Sequence, residues 1–302
     1  MAAGAGRAEA FVRARDNVGN AVYWQTTCPQ ATIYLNGFGG KPGGLPVDQA
    51  VKSIAAAAHA WGPDAVTCPG TTDGHPQLEI TTTLAPVDAK PPTIAWDSRN
   101  AIVIRTEAWA KSGDSSIDGY NFDALAVTTV TSRGDGHIVD ADIEVNAVNK
   151  TWIDLDPGVS VTAGQSSFEP SDLQNTLTHE FGHFLGLDHT CFNPQPGKVW
   201  PVDDEGQKVP DCQDAPSAVA MTVMFDSARS LETSKRFLSD DDKRAICAIS
   251  ASSPWSCDLD QPADGCAVAP TRPGWGARGA GALAGFATLV MFAARRRGHA
   301  RG

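Results

Sequence analysis

The sequence has no excess of positive charge, no CxxC pair and no internal repeat. Its first ten residues contain no apolar run that could form the core of an export signal. Its 24 lysines and arginines are outnumbered by 35 acidic residues, giving a net charge of −11. A nucleic-acid binder should present a basic face, so no nucleic-acid partner is expected. The missing CxxC removes the usual thiolate zinc site and the dithiol redox motif. Seven cysteines are present nonetheless, scattered as Cys28, Cys68, Cys191, Cys212, Cys247, Cys257 and Cys266. Such scatter fits disulfides made in an oxidising compartment; the alternative is buried free thiols in a cytosolic protein. The expected pairing is Cys28–Cys68, Cys191–Cys212 and Cys247–Cys257 with Cys266 left over, although sequence alone does not establish connectivity.

What is there divides into four parts. Residues 1–10, "MAAGAGRAEA", read as an N-terminal remnant of an incomplete export signal, with Ala8-Glu9-Ala10 in the Ala-x-Ala form of a cleavage site. Residues 11–258 have globular texture, and a hydrophobic content of 42% supplies one sizeable core. Residues 259–276 form a Pro/Gly-rich linker, and residues 277–302 a tail. Within the globular part, "AVYWQ", "ATIYLN", Ala101–Thr106 and Leu125–Thr131 read as strands. "DQAVKSIAAAAHAW" reads as a helix with Val51, Ile54, Ala58 and Trp61 on one stripe. "HIVDADIEVN" alternates, with Ala141, Ile143 and Val145 on one face and Asp140, Asp142, Glu144 and Asn146 on the other. The Gly134-Asp135-Gly136 turn before it suggests a hairpin. The acidic face offers oxygens of the kind calcium takes. With no loop of calcium-ligand spacing, a solvated strand face is the stronger expectation, and Ca2+ has no further support.

The tail holds "GAGALAGFATLVMFAA", residues 279–294, without a charge, followed by Arg295-Arg296-Arg297. As a helix it would reach about 24 Å, short of a hydrocarbon core of about 30 Å. The arginines would hold its end on the cytoplasmic side. A membrane helix is expected, against the alternative of a buried core helix. Residues 266–297, with a cysteine, a short apolar span and an arginine cluster, resemble bacterial C-terminal sorting signals of the myxobacterial kind. That resemblance implies an exported protein carried to the cell surface, transiently anchored in the membrane, whose tail is then removed; it would also account for Cys266.

The densest information lies in "HEFGHFLGLDH", residues 179–189. Ser171 with Gln174 forms a capping-box signature that starts a helix running through Phe184. At about 100° per residue, Leu173, Leu177, Phe181 and Phe184 make one apolar stripe, and His179 and His183 sit one turn apart on the opposite side. Gly186 permits a left-handed turn that breaks the helix, and His189 returns as a third ligand. Three protein ligands leave the fourth position of tetrahedral zinc open, the mark of a catalytic rather than a structural site. Glu180 stands beside the first ligand as a base.

On these positions the chain resembles the metzincin zinc metalloproteases, whose HExxHxxGxxH signature it matches at every fixed position. The resemblance implies an α+β catalytic domain: a twisted, mostly parallel sheet with an antiparallel edge strand, packed on a central zinc-binding helix, and a small C-terminal subdomain ending in a helix. It implies one catalytic Zn2+ on His179, His183 and His189, with Glu180 as general base. It also implies a methionine turn in "AVAMTVMFDS", for which Met224 is favoured over Met221. "LSDDDKRAICAI", with Ser239 as N-cap and Asp242 as its capping partner, resembles the last helix of the matrixin branch. Two departures stand out. Thr190 to Val223 is longer than the compact matrixin connection, and no cysteine-switch sequence precedes the catalytic region. Phe225 has no hydroxyl, so a tyrosine-assisted oxyanion role is unavailable there.

The function expected is an exported zinc endopeptidase, monomeric, acting on a protein or peptide substrate that pairs with a sheet edge in the Phe122–Asn146 hairpin. Phe225, Asp226, Ser227 and Leu231 are candidates for the S1′ wall. The alternatives are a surface binding or adhesion protein that keeps the fold without turnover, and a zinc hydrolase acting on non-peptide substrates.

Overall fold

The computed structural model describes residues 11–71, 73–94, 96–112, 114–155 and 170–250, and the backbone of residues 286–294. Two short strands, β1 (Val12–Arg13) and β2 (Tyr23–Trp24), open the chain. The apolar runs that follow become β3 (Gln30–Tyr34), β4 (Thr81–Leu84), β5 (Ala101–Arg105), β6 (Ala124–Ser132) and β7 (His137–Asn146). Helix α1 (Val47–His59) crosses between β3 and β4. β3, β4, β5 and β7 are mutually parallel, and β6 runs antiparallel to β7 as the expected hairpin. The result is a mixed α/β fold on a mostly parallel central sheet.

Beyond a one-turn helix, α2 (Ser115–Asp118), short strands β8 (Trp152–Ile153) and β9 (Ser171–Asp172) pair in parallel and lead into the long helix α3 (Leu173–Phe184). β10 (Leu187–Asp188) then returns against β1. The chain continues through α4 (Ser217–Ala220), β11 (Ser227–Ala228) and α5 (Asp240–Ser250). Finally β12 (Phe286–Ala294) joins the sheet, giving the order β11-β12-β6-β7-β5-β3-β4.

One face of the sheet carries the main core. Ile54 and Trp61 meet Ile102, Ile104, Ile143 and Val145 from the sheet and Leu177, Phe181 and Phe184 from α3. α1 ends at His59, so Trp61 lies beyond the helix rather than on it. Its indole still fixes the architecture, donating Nε1–H to the Thr178 carbonyl at 2.8 Å, while Trp24 donates to the Phe184 carbonyl at 2.7 Å. Two buried tryptophans thus hold α3 at its middle and at its C-terminal end, satisfying polar edges that burial would otherwise penalise.

Four expectations need correction. The acidic face of β7 is not solvated: Asp140, Asp142, Glu144 and Asn146 are all buried. β7 is a central strand whose second face is covered by Trp109, Tyr120 and Ile94, so its carboxylates find their partners inside the protein, Oδ1 of Asp140 alone among them being buried without one. Glu144 pairs with Arg105 at 2.6 Å and accepts the Tyr120 hydroxyl at 2.5 Å, and Asp142 accepts the Ala101 amide. The N-cap of α3 is Asp172, not Ser171; its carboxylate accepts the Asn175 amide at 2.7 Å. Asp172 also accepts from Arg236, which reaches Asp154 as well, and this long-range pair is what favours the carboxylate as cap.

Cys191 and Cys212 are bridged as expected, with Cα atoms 4.9 Å apart, but Cys68 is joined to Cys247, not to Cys28. Cys28 is also disulfide-bonded, while Cys257 and Cys266 lie outside the described residues. The Cys68–Cys247 bridge spans 179 residues and ties the loop after α1 to α5, a pairing that local spacing does not reveal. The apolar tail is also corrected: residues 286–294 form a strand rather than a membrane helix, and residues 279–285 lie outside the described residues. Among the described residues no helix is long and apolar enough to cross a membrane. A short apolar run of small and β-branched residues suits either state, and strand pairing decides here.

Candidate metal centre

The three histidines are brought together by the broken helix. Their Nε2 atoms stand 3.0 Å (His179–His183), 3.1 Å (His183–His189) and 3.2 Å (His179–His189) apart. Ligands about 2.0–2.1 Å from a tetrahedral zinc lie about 3.3–3.4 Å from one another, so the triangle is close to ion-binding size. Gly186 makes the turn, at φ 95°; a Cβ there would stand 2.8 Å from the Val22 carbonyl oxygen. The left-handed conformation and the close approach of β2's neighbour both require glycine at this point.

The ring orientations are fixed from behind. His179 directs Nδ1 to the Val223 carbonyl at 2.6 Å, and His183 directs Nδ1 to the Leu187 carbonyl at 2.9 Å. A carbonyl only accepts, so each Nδ1 carries the proton and each Nε2 presents a lone pair to the centre. Burial holds all three rings neutral: His183 is lowered to about 4, and His179 and His189 fall well below the usual imidazole value. Lone pairs gathered in a buried space repel unless a cation lies among them, so the donor set fits a metal ion. Among the described residues this is the one triad made of histidines alone.

Glu180 is fully buried beside the triad. Its Oε2 accepts the Thr128 hydroxyl of β6 at 2.5 Å, while Oε1 is buried without a hydrogen-bond partner. Burial pushes the carboxyl up to about 8, against the lowering influence of the Thr128 bond and of Lys235. A cation in the triad would pull it back towards the carboxylate range.

The imidazole side of α3 is no more open than the apolar side: His179 and Glu180 are 0% exposed and His183 is 1% exposed. The segment expected to form a methionine turn packs against α3 at Gly182. Met221 is 69% exposed, whereas Met224 is buried. Its thioether packs against Gly182, where a side chain would overlap the sulfur. The turn is held by the Val223 amide donating to Asp242 at 2.9 Å, and Asp242 also accepts from Ser239 as the expected capping box.

The remaining candidates are dispersed along one segment. Phe225 packs on the Cys191–Cys212 bridge, Asp226 accepts from Asn193, Ser227 starts β11, and Leu231 sits at φ 61° with its amide on the Pro170 carbonyl. Four contributors escaped the sequence reading: Thr128, Gly182, Lys235 and the bond from Asp242 to Val223. Lys235 is 1% exposed, donates from Nζ to the Phe225 carbonyl at 2.5 Å, and is lowered by burial to about 8. A lysine within "TSKRFLSDDDK" reads as surface, and nothing in the sequence marks it otherwise. Gly182 does carry a signal, since glycine inside a helix usually answers a packing need.

No curated protein matches the chain. Residues 163–229, which span α3, all three histidines and Met224, match the Peptidase_M43 family model, described as pregnancy-associated plasma protein-A. That match and the mostly parallel sheet are compatible with a metzincin-like catalytic domain and support a zinc metalloprotease.

Proposed function

We propose that the chain is a zinc-dependent endopeptidase of the metzincin kind, with His179, His183 and His189 holding the metal and Glu180 as general base. The observation that carries this is the set of three Nε2 atoms within 3.2 Å of one another beside a buried glutamate with one unpartnered oxygen. When bound, zinc supplies Lewis acidity towards a carbonyl and a water. The chain's own residues do the rest. Thr128 holds Oε2 of Glu180 and leaves Oε1 to take a proton, and a carboxyl raised by burial can return that proton to a departing amine. The carbonyls of Val223 and Leu187 keep the imidazoles oriented so that no reorganisation accompanies the reaction.

Within this class, α5 with its Ser239–Asp242 cap supports a matrixin-like branch. The family match across residues 163–229 favours the pappalysin side, and we take that branch as the better supported. An S1′ wall from Phe225, Asp226, Ser227 and Leu231 belongs to the proposal. So do export, supported by the disulfides, and surface sorting by the tail. The adhesion alternative has nothing at the site in its favour, because a non-catalytic fold has no use for a buried base. Cleavage of casein or a peptide pool by the zinc-loaded chain should fall at least 100-fold in Glu180→Ala with zinc content unchanged. Equal background activity in both chains refutes the peptidase.

A further inference from the structure

β12 occupies a particular slot. On one side it lies antiparallel to β6, with Phe286 opposite Ser132, Val290 opposite Thr128 and Phe292 opposite Ala126. On the other side it runs parallel to β11, with Ala293 opposite Ser227 and Ala294 opposite Ala228. One extended segment therefore fills the gap between the antiparallel hairpin strand and the segment that follows the methionine turn. Its centre is level with Thr128, the residue whose hydroxyl holds Glu180. Both β6 and β12 lie against α3, the helix that carries the triad.

We propose that residues 286–294 occupy the peptide groove of the enzyme, so that the C-terminal tail is an intramolecular blocker that must leave before a substrate can enter. This rests on the peptidase reading above. Strand addition is recognition through the main chain, indifferent to most side chains, so the pairing that seats the tail is one that an extended substrate peptide can use. Sequence and charge agree with a self-docked segment. The nine residues are uncharged and lead directly into Arg295-Arg296-Arg297, while the whole chain carries a net charge of −11. Tethering sets an effective concentration on the order of millimolar, enough for modest pairing to block the site. With the strand in place Glu180 is 0% exposed, while His189 keeps some exposure. The tail's direction also states how a substrate lies: antiparallel to β6 and parallel to β11.

The test uses the zinc-loaded full chain and the same chain with Leu289→Pro and Val290→Pro. These residues pair with β6 alone, and adjacent residues of a strand direct their amides to opposite sides, so one of the two prolines removes an amide donor to β6. Amide hydrogen exchange across Ala124–Ser132 should accelerate at least 10-fold in the proline chain, and kcat/KM on a quenched-fluorescent peptide pool should rise at least 10-fold. A synthetic peptide of residues 284–296 should inhibit the proline chain competitively and restore protection of the same amides. Unchanged exchange across Ala124–Ser132 overturns the proposal, as does faster exchange with no gain in turnover by an active chain. Faster exchange with no turnover in either chain supports the seating of the tail and overturns the peptidase reading on which its inhibitory role depends.

Discussion

A methyl group added to Gly182 tests how the methionine turn supports the triad. A Cβ there would overlap Sδ of Met224, stand 3.0 Å from Cζ2 of Trp61 and 3.1 Å from Cε of Met224. Trp61 cannot yield, because it is 1% exposed and tied through Nε1 to the Thr178 carbonyl. Met224 must therefore move, and its carbonyl accepts the Thr190 amide while the adjacent Val223 carbonyl accepts from His179. Overpacking of this kind costs about 1–3 kcal/mol. Against it, replacing an interior helical glycine by alanine contributes about 1 kcal/mol of favourable propensity. Gly182→Ala should thus destabilise the metal-free chain by up to about 2 kcal/mol in urea unfolding. Through the disturbed His179 bond it should also weaken zinc affinity about 10-fold or more. The decisive arm is the same change in a Met224→Ala background, where the overlap with the sulfur is gone and only the 3.0 Å contact with Cζ2 of Trp61 remains. There the loss of stability caused by Gly182→Ala should be clearly smaller or absent. An equal loss of stability in both backgrounds refutes the packing argument.

Two further perturbations address the frame around the site. In the chain-entropy model, opening the Cys68–Cys247 loop should cost about 5 kcal/mol and opening Cys191–Cys212 about 3 kcal/mol. Cys68→Ser with Cys247→Ser should therefore lower the denaturation midpoint more than Cys191→Ser with Cys212→Ser; the reverse order contradicts the observed pairing. Asp142 is pushed up to about 8, first by burial and then by Asp140. Its folded-state pKa lies above the unfolded value, so its contribution to stability is fully present below about pH 4 and is lost as pH rises towards 8. Asp142→Asn should gain about a kcal/mol or more relative to the native chain between pH 5 and pH 8 in urea titrations. A stability difference that does not change with pH excludes this role.

The triad was legible because its information is local. Positions 0, 4 and 10 with a glycine between them define one helix, one turn and one return, and no distant contact is needed to place them. The hairpin of β6 and β7 and the capping of α5 by Ser239 and Asp242 were legible for the same reason. Where the reading went astray, distant packing decided. Asp172 outcompetes Ser171 as cap because Arg236, far along the chain, pairs with it. Cys68 finds Cys247 because α5 comes to rest beside the loop after α1. The carboxylates of β7 are buried because Trp109 and Tyr120 cover a face that alternation alone marks as solvated. The segment 286–294 became a strand because two edges were open to receive it, and no periodicity within nine uncharged residues distinguishes that outcome from a helix.

The most direct measurement is zinc X-ray absorption on the purified full chain, together with zinc stoichiometry in His189→Ala. One zinc per chain is expected, with three imidazole nitrogens at about 2.0–2.1 Å and one oxygen at about 2.0–2.2 Å, and the stoichiometric site lost in His189→Ala. A sulfur shell at about 2.3 Å, a fourth imidazole, or undiminished zinc in His189→Ala would contradict an open three-histidine centre.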